Sequence, residues 1–428
     1  MKLSRRPQKV HYVSSQDKIT SFSGLKLVTD LARRLDILSG LGQCTVKKRR
    51  RGIPVPDFVM SLVNTFLVGG SHLSDLEVLR GEHATRSCLD DLEVPAPTTA
   101  GEFLRKFTTG HIKQLERVIR TALLKSATVM GGDRPITLDL DSSIFQVYGY
   151  LKEGARYGYS KVKGFHPLLC FWAETRLLVG TRLRSGNRSS AHGATTFLEE
   201  CLSRLPVDRP IRLRLDAGFY SREVVSYLVK KVLDFSISAR LTSALSRAIG
   251  TLAQESWKPY PWEEEAEWAE FSYQPQGWPK AFRLIVKRTP YYEGDQRVIG
   301  EFFYAPVITN RRGAGSSILR LHLARGGAEN YIEEFKNGLG ARSLPSQRFN
   351  ANWAWLVIAQ LAYNLAQSFK LLVLPVREHH DQLKKLRLHW FCVAGRLIRS
   401  GRRLTMALAR GPDQVHRFVL AQTRILAL

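Results

Sequence analysis

Apolar residues recur with two different periods along the chain. Over residues 25–38 they recur at helical spacing, and a second apolar segment covers 58–68. Side chains three and four positions apart share one face of a helix, so this period is typical of packed helices. From Pro135 onward apolar residues alternate with polar ones, which is the period of a half-buried strand. The pattern predicts a helical region over residues 1–130, followed by a sheet.

The predicted sheet is interleaved with helices. Strict alternation predicts strands over residues 137–141 and 211–216. Other apolar segments predict strands over 166–172, 177–183 and 235–239, and helices over 193–205 and 221–232. Strands that come first in succession and then alternate with helices indicate a mixed α/β sheet.

Residues 241–300 differ from the segments on either side. They hold four of the eight tryptophans, Trp257, Trp262, Trp268 and Trp278, next to an acidic run at 263–265. We interpret this part as a β-rich insertion outside the sheet core, whose tryptophans pack against the protein rather than stack on bases. Strands over 282–286 and 302–309 and a helix over 317–339 are expected to follow.

The composition gives a first indication of function. The chain carries 64 Lys and Arg against 38 Asp and Glu, a formal net charge of +26. Such a charge repels itself within one molecule and therefore points to a polyanionic partner. Nucleic acid is the usual one, because each neutralised phosphate releases a counterion. A membrane surface is the alternative, but no lipidation motif is evident.

Cysteines and apolar segments bear on the compartment. The cysteines are scattered without a C-x-x-C pair, which argues against a disulfide framework or a structural zinc site and fits a reducing cytoplasm. Residues 349–369 carry no charge, but several Asn and Gln interrupt them, so we predict a buried core helix rather than a membrane span. The N-terminus lacks the apolar core of a signal peptide. We expect a soluble protein of the cytoplasm, associated with the nucleoid.

A run of cations lies between the first helical segments. Lys47-Lys48-Arg49-Arg50-Arg51 precedes a glycine and two prolines, which predicts a basic loop. Such a loop is either a solvated turn or a phosphate contact. Lys48, Arg49 and Arg50 are therefore candidate DNA-binding residues. The basic residues 376–428 are expected to be helical.

A small set of carboxylates has the spacing of a metal site. Metal-catalysed transfer of a phosphodiester needs hard oxygen ligands for two Mg²⁺ or Mn²⁺ ions. Asp139 or Asp141 lies at the end of the first strand, Asp216 ends a later strand, and Glu329 falls on the later helix. A carboxylate at a strand end faces a crevice, whereas one in mid-sheet is buried at a large desolvation cost.

The helix around Glu329 adds a pattern of charges. At about 100° per residue, Arg325, Glu329 and Lys336 fall in one narrow sector, beside a separate apolar stripe. An acid flanked by two cations suits a phosphate-bearing substrate. An ordinary surface helix with an i, i+4 salt bridge between Arg325 and Glu329 explains the same spacing.

Several motifs carry a resemblance when they are taken together. They are Leu138-Asp139-Leu140-Asp141-Ser142-Ser143, Tyr148-Gly149, Gly164-Phe165-His166-Pro167-Leu168-Leu169, Leu183-Arg184-Ser185-Gly186-Asn187 and Arg214-Leu215-Asp216-Ala217-Gly218-Phe219. The closing element, Arg325-Gly326-Gly327-Ala328-Glu329-Asn330 through Lys336, is similar to a Y-x2-R-x3-E-x6-K signature. Together these motifs resemble the bacterial insertion-sequence transposases of the DDE group.

The resemblance implies a fold and a division of the chain. The implied fold is α/β, an RNase H-like mixed sheet flanked by helices, with a β-rich insertion and helical terminal regions. The implied division is a helical DNA-binding region (1–130), the first part of the catalytic core (131–240), the insertion (241–300), the second part of the core with the Glu helix (301–375) and a basic helical region (376–428).

The resemblance also implies catalytic residues. By position, the triad that catalyses the reaction and binds two Mg²⁺ or Mn²⁺ ions is Asp141, Asp216 and Glu329. Asp141 is preferred because Asp141-Ser142-Ser143 matches the D-x-S/T pattern of the family, and Asp139 is the reserve.

A further set of residues is implied to contact DNA. Arg325 and Lys336 are expected to position phosphates, and Arg184 and Asn187 belong to a motif expected at the DNA. His322 stands where the signature has tyrosine, and a histidine can also contact a phosphate.

The implied reaction is cleavage at the ends of an insertion sequence and transfer of the freed strands into target DNA. One metal ion activates water and later the 3′-hydroxyl, and the other stabilises the leaving oxygen. The resemblance implies a homodimer that holds double-stranded DNA, the terminal inverted repeats and the target, in a synaptic complex. Two alternatives stay open: an RNase H-like nuclease without strand transfer, and a domesticated protein that only binds DNA.

Overall fold

The computed structural model describes residues 12–13, 17–47, 52–128, 135–149, 151–158, 161–206, 209–294, 296–401 and 403–428. A short strand, β1 (Ile19–Thr20), is followed by the helices α1 (Leu25–Arg34), α2 (Ile37–Gly42), α3 (Val55–Val68), α4 (Leu76–Gly81), α5 (His83–Cys88), α6 (Pro97–Arg105) and α7 (Thr109–Ala127). The helical prediction for this part of the chain is confirmed. Proline near the start of α3 and α6, and the Thr108 hydroxyl that accepts the His111 amide at α7, fix where these helices begin.

The central sheet is built from β2 (Ile136–Ser142), β6 (Leu168–Trp172), β7 (Leu177–Arg182), β8 (Ile211–Leu215) and β9 (Asp234–Ser238), with helices α8 (Ala194–Leu202) and α9 (Arg222–Lys230) in the connections. The strands lie in the order β7-β6-β2-β8-β9. The first three in sequence, β2, β6 and β7, are antiparallel, whereas β8 and β9 run parallel to β2. This order and these senses are the topology of the RNase H-like fold, and the predicted α/β fold class is confirmed.

A small second sheet follows β2 directly. It consists of β3 (Phe145–Gln146), β4 (Arg156–Tyr157) and β5 (Lys163–Phe165), in the order β3-β5-β4. Gly164 of β5 lies so close to the backbone of β3 that a Cβ there would come within 2.4 Å of the Phe145 carbonyl oxygen. This close approach explains the glycine, and the small sheet lies beside the carboxyl end of β2.

The predicted insertion is not separate from the sheet. After α10 (Ser243–Gly250), the strands β10 (Lys258–Pro259), β11 (Glu267–Tyr273), β12 (Phe282–Glu293) and β13 (Gln296–Thr309) extend the same sheet to nine strands. β13 pairs with β9 through Val307, Ile308 and Thr309. The expectation that this segment lies outside the sheet core is therefore wrong, because the apolar residues of β12 and β13 join the core of β9.

The tryptophans of this extension serve packing where they are buried. Trp257 is 7% exposed, and the guanidinium of Arg288 lies 4.0 Å from its ring centroid. Trp262 is 43% exposed, with Arg320 4.8 Å above its ring. Both contacts are cation–π arrangements within the protein.

The helix predicted over 317–339 is broken. It consists of α11 (Gly315–Leu323), α12 (Gly326–Glu333) and a π-helical turn at Glu334–Gly338. The break falls just before the Gly326-Gly327 pair, where helix propensity is poor. Arg325 and Lys336 are consequently not on one regular helix with Glu329, and the single charged sector expected from the sequence does not form.

The long helix α13 (Phe349–Val373) is the apolar segment that raised the question of a membrane span. It has the length and composition to cross a membrane, and 89% of its most apolar window is buried within the protein. Its amides bond the backbone of the edge strand β7: Asn364 accepts the Leu178 amide at 2.8 Å, and Gln360 donates to the Leu178 carbonyl at 2.8 Å. The prediction of a core helix is confirmed. The polar residues of α13 bond a sheet edge that would otherwise face water.

The C-terminal region is not all helical. After α14 (Leu383–Leu386) the chain forms a hairpin of β14 (Gly395–Ser400) and β15 (Arg403–Leu408), and then α15 (Pro412–Ala427). β14 pairs with β1 near the other end of the chain. The purely helical expectation for 376–428 is therefore wrong, because residues 395–400 and 403–408 pair as antiparallel strands. One hydrophobic core joins the N-terminal helices to α13 and α15, and a second surrounds the nine-stranded sheet.

Candidate active site

The parallel pairing of β2 and β8 brings two carboxylates together. Asp139 lies opposite Arg214, and Leu140 lies opposite Leu215. The next residues in register are Asp141 and Asp216, at the carboxyl ends of adjacent parallel strands. In open α/β sheets this end of the strands is where ligands bind.

Each aspartate of this pair is oriented by a backbone amide. Oδ1 of Asp141 accepts the Ser142 amide at 2.7 Å, and Oδ1 of Asp216 accepts the Gly218 amide at 2.8 Å. The Ser142 hydroxyl lies 2.8 Å from the Ser190 hydroxyl of the loop that follows β7. Both carboxylates are therefore held at the end of the sheet beside two hydroxyl groups.

The carboxyl of Asp141 is buried next to a second acid, and the positive charge of Arg325 only partly offsets both effects. Asp141 is 8% exposed. Burial raises the pKa of its carboxyl to about 6, and the nearby charge of Asp216 raises it as well. Arg325 lowers this pKa, and its Nη1 lies 2.9 Å from Oδ2 of Asp141. Two mutually repelling carboxylates at a sheet end are the arrangement that a divalent cation stabilises.

Asp139, the reserve candidate, has a different role. It is 1% exposed, and its two carboxylate oxygens accept Nε and Nη2 of Arg214 at 2.7 and 2.6 Å. The remaining Nη1 of Arg214 donates to the carbonyl of Leu321 at 2.8 Å. Because both oxygens are occupied in a buried ion pair, the assignment of Asp139 as a catalytic candidate is wrong. It anchors the end of α11 to the sheet.

Glu329 is not assembled with the two aspartates. It lies in the first turn of α12 and is exposed. Within the described ranges, no three Asp, Glu, His or Cys side chains lie close enough together to hold a metal ion. The cation that contacts Asp141 is instead Arg325, at the break before α12.

Lys336 and Arg325 both lie at the end of β2. Nζ of Lys336 lies 3.3 Å from the Ser143 hydroxyl. Lys336 is half-buried, and this burial lowers the pKa of its ammonium group. Glu333 raises that pKa and Arg342 lowers it. The two signature cations therefore stand next to Asp141 and Ser143, on segments that sequence places far from β2.

His322 is buried between α11 and β9. It is 3% exposed, and its Nε2 and Nδ1 lie 2.9 Å from the hydroxyls of Ser238 and Ser236 on β9. Burial lowers the pKa of His322 to about 3, so the ring is neutral. The expectation that His322 contacts a phosphate is wrong, because both ring nitrogens are used inside the protein.

Arg184 is also an internal residue. It is 7% exposed, donates from Nε to the carbonyl of His166 at 2.9 Å, and donates from Nη1 to the carbonyls of Ser189 and His192 at 2.9 and 2.6 Å. Burial lowers its pKa to about 10. The expectation of a direct DNA contact is wrong, since Arg184 shapes the loop that presents Ser190 to Ser142. Asn187 is exposed on the same loop.

The remaining DNA-binding candidates lie elsewhere. Lys48, Arg49 and Arg50 fall outside the described residues, in the segment between α2 and α3. Sequence reasoning missed the Ser142–Ser190 contact and the buried His166, whose Nδ1 lies 2.8 Å from the carbonyl of Arg188. His166 stands in one of the motifs quoted above, and that motif was the available signal.

Comparison with known proteins places the whole chain in one family. The model of the family described as "transposase DDE domain group 1" matches residues 4–428. Among curated proteins no sequence matches the chain. Among solved structures, the chain is similar to the piggyBac transposase in its cryo-EM synaptic complex with hairpin DNA, at 11% identity and a TM-score of 0.44. That alignment covers 88% of this chain and 83% of the other; at this score the likeness carries no argument about function.

Proposed function

The chain belongs to the transposase DDE domain family and is a DNA transposase, and we propose that it cleaves the ends of an insertion sequence and joins them to target DNA by metal-dependent catalysis. The observation that carries this proposal is the pairing of Asp141 with Asp216. Their strands run parallel and adjacent, and their carboxylates lie close enough for one to raise the pKa of the other.

The residues at this pair fit divalent metal ions. Carboxylate oxygens are hard ligands of the kind that Mg²⁺ and Mn²⁺ prefer. Asp141 and Asp216 would hold the first ion, and Glu329 would complete a site for two. When bound, the ions supply activation of water or a 3′-hydroxyl and stabilisation of the leaving oxygen.

The cations next to Asp141 and Asp216 would bind the phosphates of the DNA. Arg325 now contacts Asp141, and Lys336 contacts Ser143. In the substrate complex we expect Arg325 to turn from Asp141 to a phosphate of the DNA, since a metal ion would then neutralise that carboxylate. Because α12 starts at a break immediately after Arg325, a change at this residue is well placed to turn Glu329 toward the ions.

The partners follow from the charge and the reaction. A net charge of +26 favours double-stranded DNA, here the terminal inverted repeats and the target. Joining two ends to one target site requires that both ends be held together. We therefore propose a homodimer in a synaptic complex.

The test compares acid substitutions on cleavage and metal binding. Asp216→Asn and Glu329→Gln are each expected to lower cleavage of a DNA fragment containing an element end by about 1000-fold, because a metal ligand is lost. Binding of Mn²⁺, followed by electron paramagnetic resonance, should weaken in parallel. Glu264→Gln is the matched control, because Glu264 is an exposed acid that is not part of the proposed site.

Two outcomes would change the proposal. Cleavage by Asp216→Asn at the parental rate would refute this carboxylate pair as the site. Supplying a pre-cleaved end with a plasmid target then separates transposition from simple hydrolysis. A transposase gives joined product, whereas an RNase H-like nuclease gives none.

A further inference from the structure

A groove lies beside the carboxyl end of β2, outside the carboxylate pair. Three segments meet there: the residues after β3, the loop at 342–345, and His72 of the N-terminal helical region. The cavity has a volume of about 500 Å³ and is lined by Gln146, Tyr148, Lys152, Arg342, Ser343 and Pro345, among others. None of the lining side chains that the structure describes is a carboxylate.

Two of the segments that line the groove are joined directly to segments of the candidate active site. β3 begins two residues beyond Ser143, which contacts Lys336, and Tyr148 follows on the same segment. From the other side, the amide of Arg342 bonds the carbonyl of Lys336 at 3.4 Å. A strand of DNA with a phosphate at Lys336 would therefore lie next to the segment that carries Arg342.

The walls of the groove contain an exposed tyrosine ring, a lysine that is held by hydrogen bonds and an exposed arginine. Tyr148 is 80% exposed, so its ring is accessible to a ligand in the groove. Nζ of Lys152 donates to the carbonyls of Leu344 and Ser346 at 2.6 and 3.3 Å, so it holds the opposite wall in place. Arg342 is exposed at the rim.

We propose that this groove binds an unpaired nucleotide of the DNA strand, with the base stacked on Tyr148 and the adjoining phosphate held by Arg342. The inference rests on the proposed function, since it supplies the DNA that reaches the groove. A base inside a duplex cannot lie flat on an aromatic ring, so the ligand must be single-stranded or turned out of the helix.

The experiment measures binding of a fluorescein-labelled ten-nucleotide oligodeoxythymidine by anisotropy, with EDTA present so that no cleavage occurs. Tyr148→Ala in the full chain should weaken binding about tenfold, because a base–aromatic stack is lost. Tyr148→Phe keeps the ring and should bind like the parent. Tyr157→Ala, at an exposed tyrosine of β4 that does not line the groove, should also bind like the parent.

The charged contact has its own matched pair. Arg342→Gln should weaken binding of the same oligonucleotide several-fold and reduce its salt dependence by about one phosphate. Arg377→Gln, at a side chain that is 82% exposed and away from the groove, should leave both quantities unchanged.

Three results would overturn the proposal. They are parental binding by Tyr148→Ala, equal loss in Tyr148→Phe, and failure of the parent chain to bind the oligonucleotide. An equal loss for a blunt duplex of the same length would assign the groove to duplex contact instead. Because EDTA is present, this assay measures only binding of the oligonucleotide, whereas the proposed catalytic pair is tested by cleavage and Mn²⁺ binding, so the two failures are read out separately.

Discussion

Asp139 and Asp141 lie on one strand and one face, and they differ in almost everything else. Asp139 is 1% exposed and is held by two short hydrogen bonds from Arg214. Asp141 lies two residues further along the strand, next to Asp216, and forms an ion pair with Arg325. The partner on the adjacent parallel strand decides the difference: at one level it is an arginine, and at the next it is a second aspartate.

The comparison shows what a strand end adds to a carboxylate. In mid-sheet, an acid is stable only when a cation uses both of its oxygens, and it then has no capacity left for a ligand. At the end of the sheet, two acids can face the same space, because solvent or a metal ion can offset their repulsion. The same type of side chain therefore stabilises the fold at one position and, in the function that we propose, binds a metal ion two residues later.

The largest expected effect is on catalysis. Asp141→Asn should lower cleavage of an element end by about 1000-fold, because a metal ligand is replaced by a neutral amide. Asp139→Asn should lower it less than about tenfold at a temperature where both variants are folded, since Arg214 already occupies both carboxylate oxygens of Asp139. Gel assays of both variants beside the parent give the ratio. A larger loss for Asp139→Asn would reverse the assignment of the two aspartates.

The second expected effect is on stability, and here a change at Asp139 is the costly one. Asp139→Ala should lower the free energy of unfolding by about 3–5 kcal/mol, because the buried charge of Arg214 loses its partner. Denaturant unfolding followed by circular dichroism measures it. The double variant Asp139→Leu with Arg214→Met should recover most of that loss, as both charges are then gone. A cost below about 1 kcal/mol for the single variant would mean that the ion pair does not anchor α11.

The smallest expected effect is on the pH dependence of stability. The folded-state pKa of Asp141 is raised to about 6, above its unfolded value. Its contribution to stability is therefore fully present below the unfolded pKa and is lost as the pH rises through about 6. In metal-free buffer, the stability of Asp141→Asn relative to the parent should be greater at pH 8 than at pH 4.5 by about 2 kcal/mol.

The same measurement on Asp139→Asn is not the control, because that variant also breaks the pair with Arg214. Glu264→Gln is suitable, since Glu264 is exposed. A pH-independent difference for Asp141→Asn would show that the pKa of the Asp141 carboxyl is not raised in the folded protein.

Several features of the fold were predictable because they depend on local periodicity. Alternation placed β2 and β8 and put Asp141 and Asp216 at strand ends, and the amides in an apolar segment marked α13 as a core helix. These features need only the sequence near each residue.

Other features depend on contacts between distant segments and escaped the sequence. The pairing of Asp139 with Arg214 requires the register of β2 against β8, and the burial of His322 requires two serines of β9. The break before α12 combines poor helix formers with a contact from Arg325 to another strand. A β-rich segment looks the same in sequence whether it stands apart or, as β13 does, pairs with the central sheet.

The pairing of Ile19 with Arg396 has a consequence for how the protein is made. The N-terminal helices share their core with α13 and α15, so part of their apolar surface stays uncovered until these two later helices have been synthesised. Contacts of such high sequence separation form slowly, since a long loop must close before they contribute. We therefore expect an N-terminal fragment that stops before α13 to expose these apolar faces to water and to be prone to aggregation.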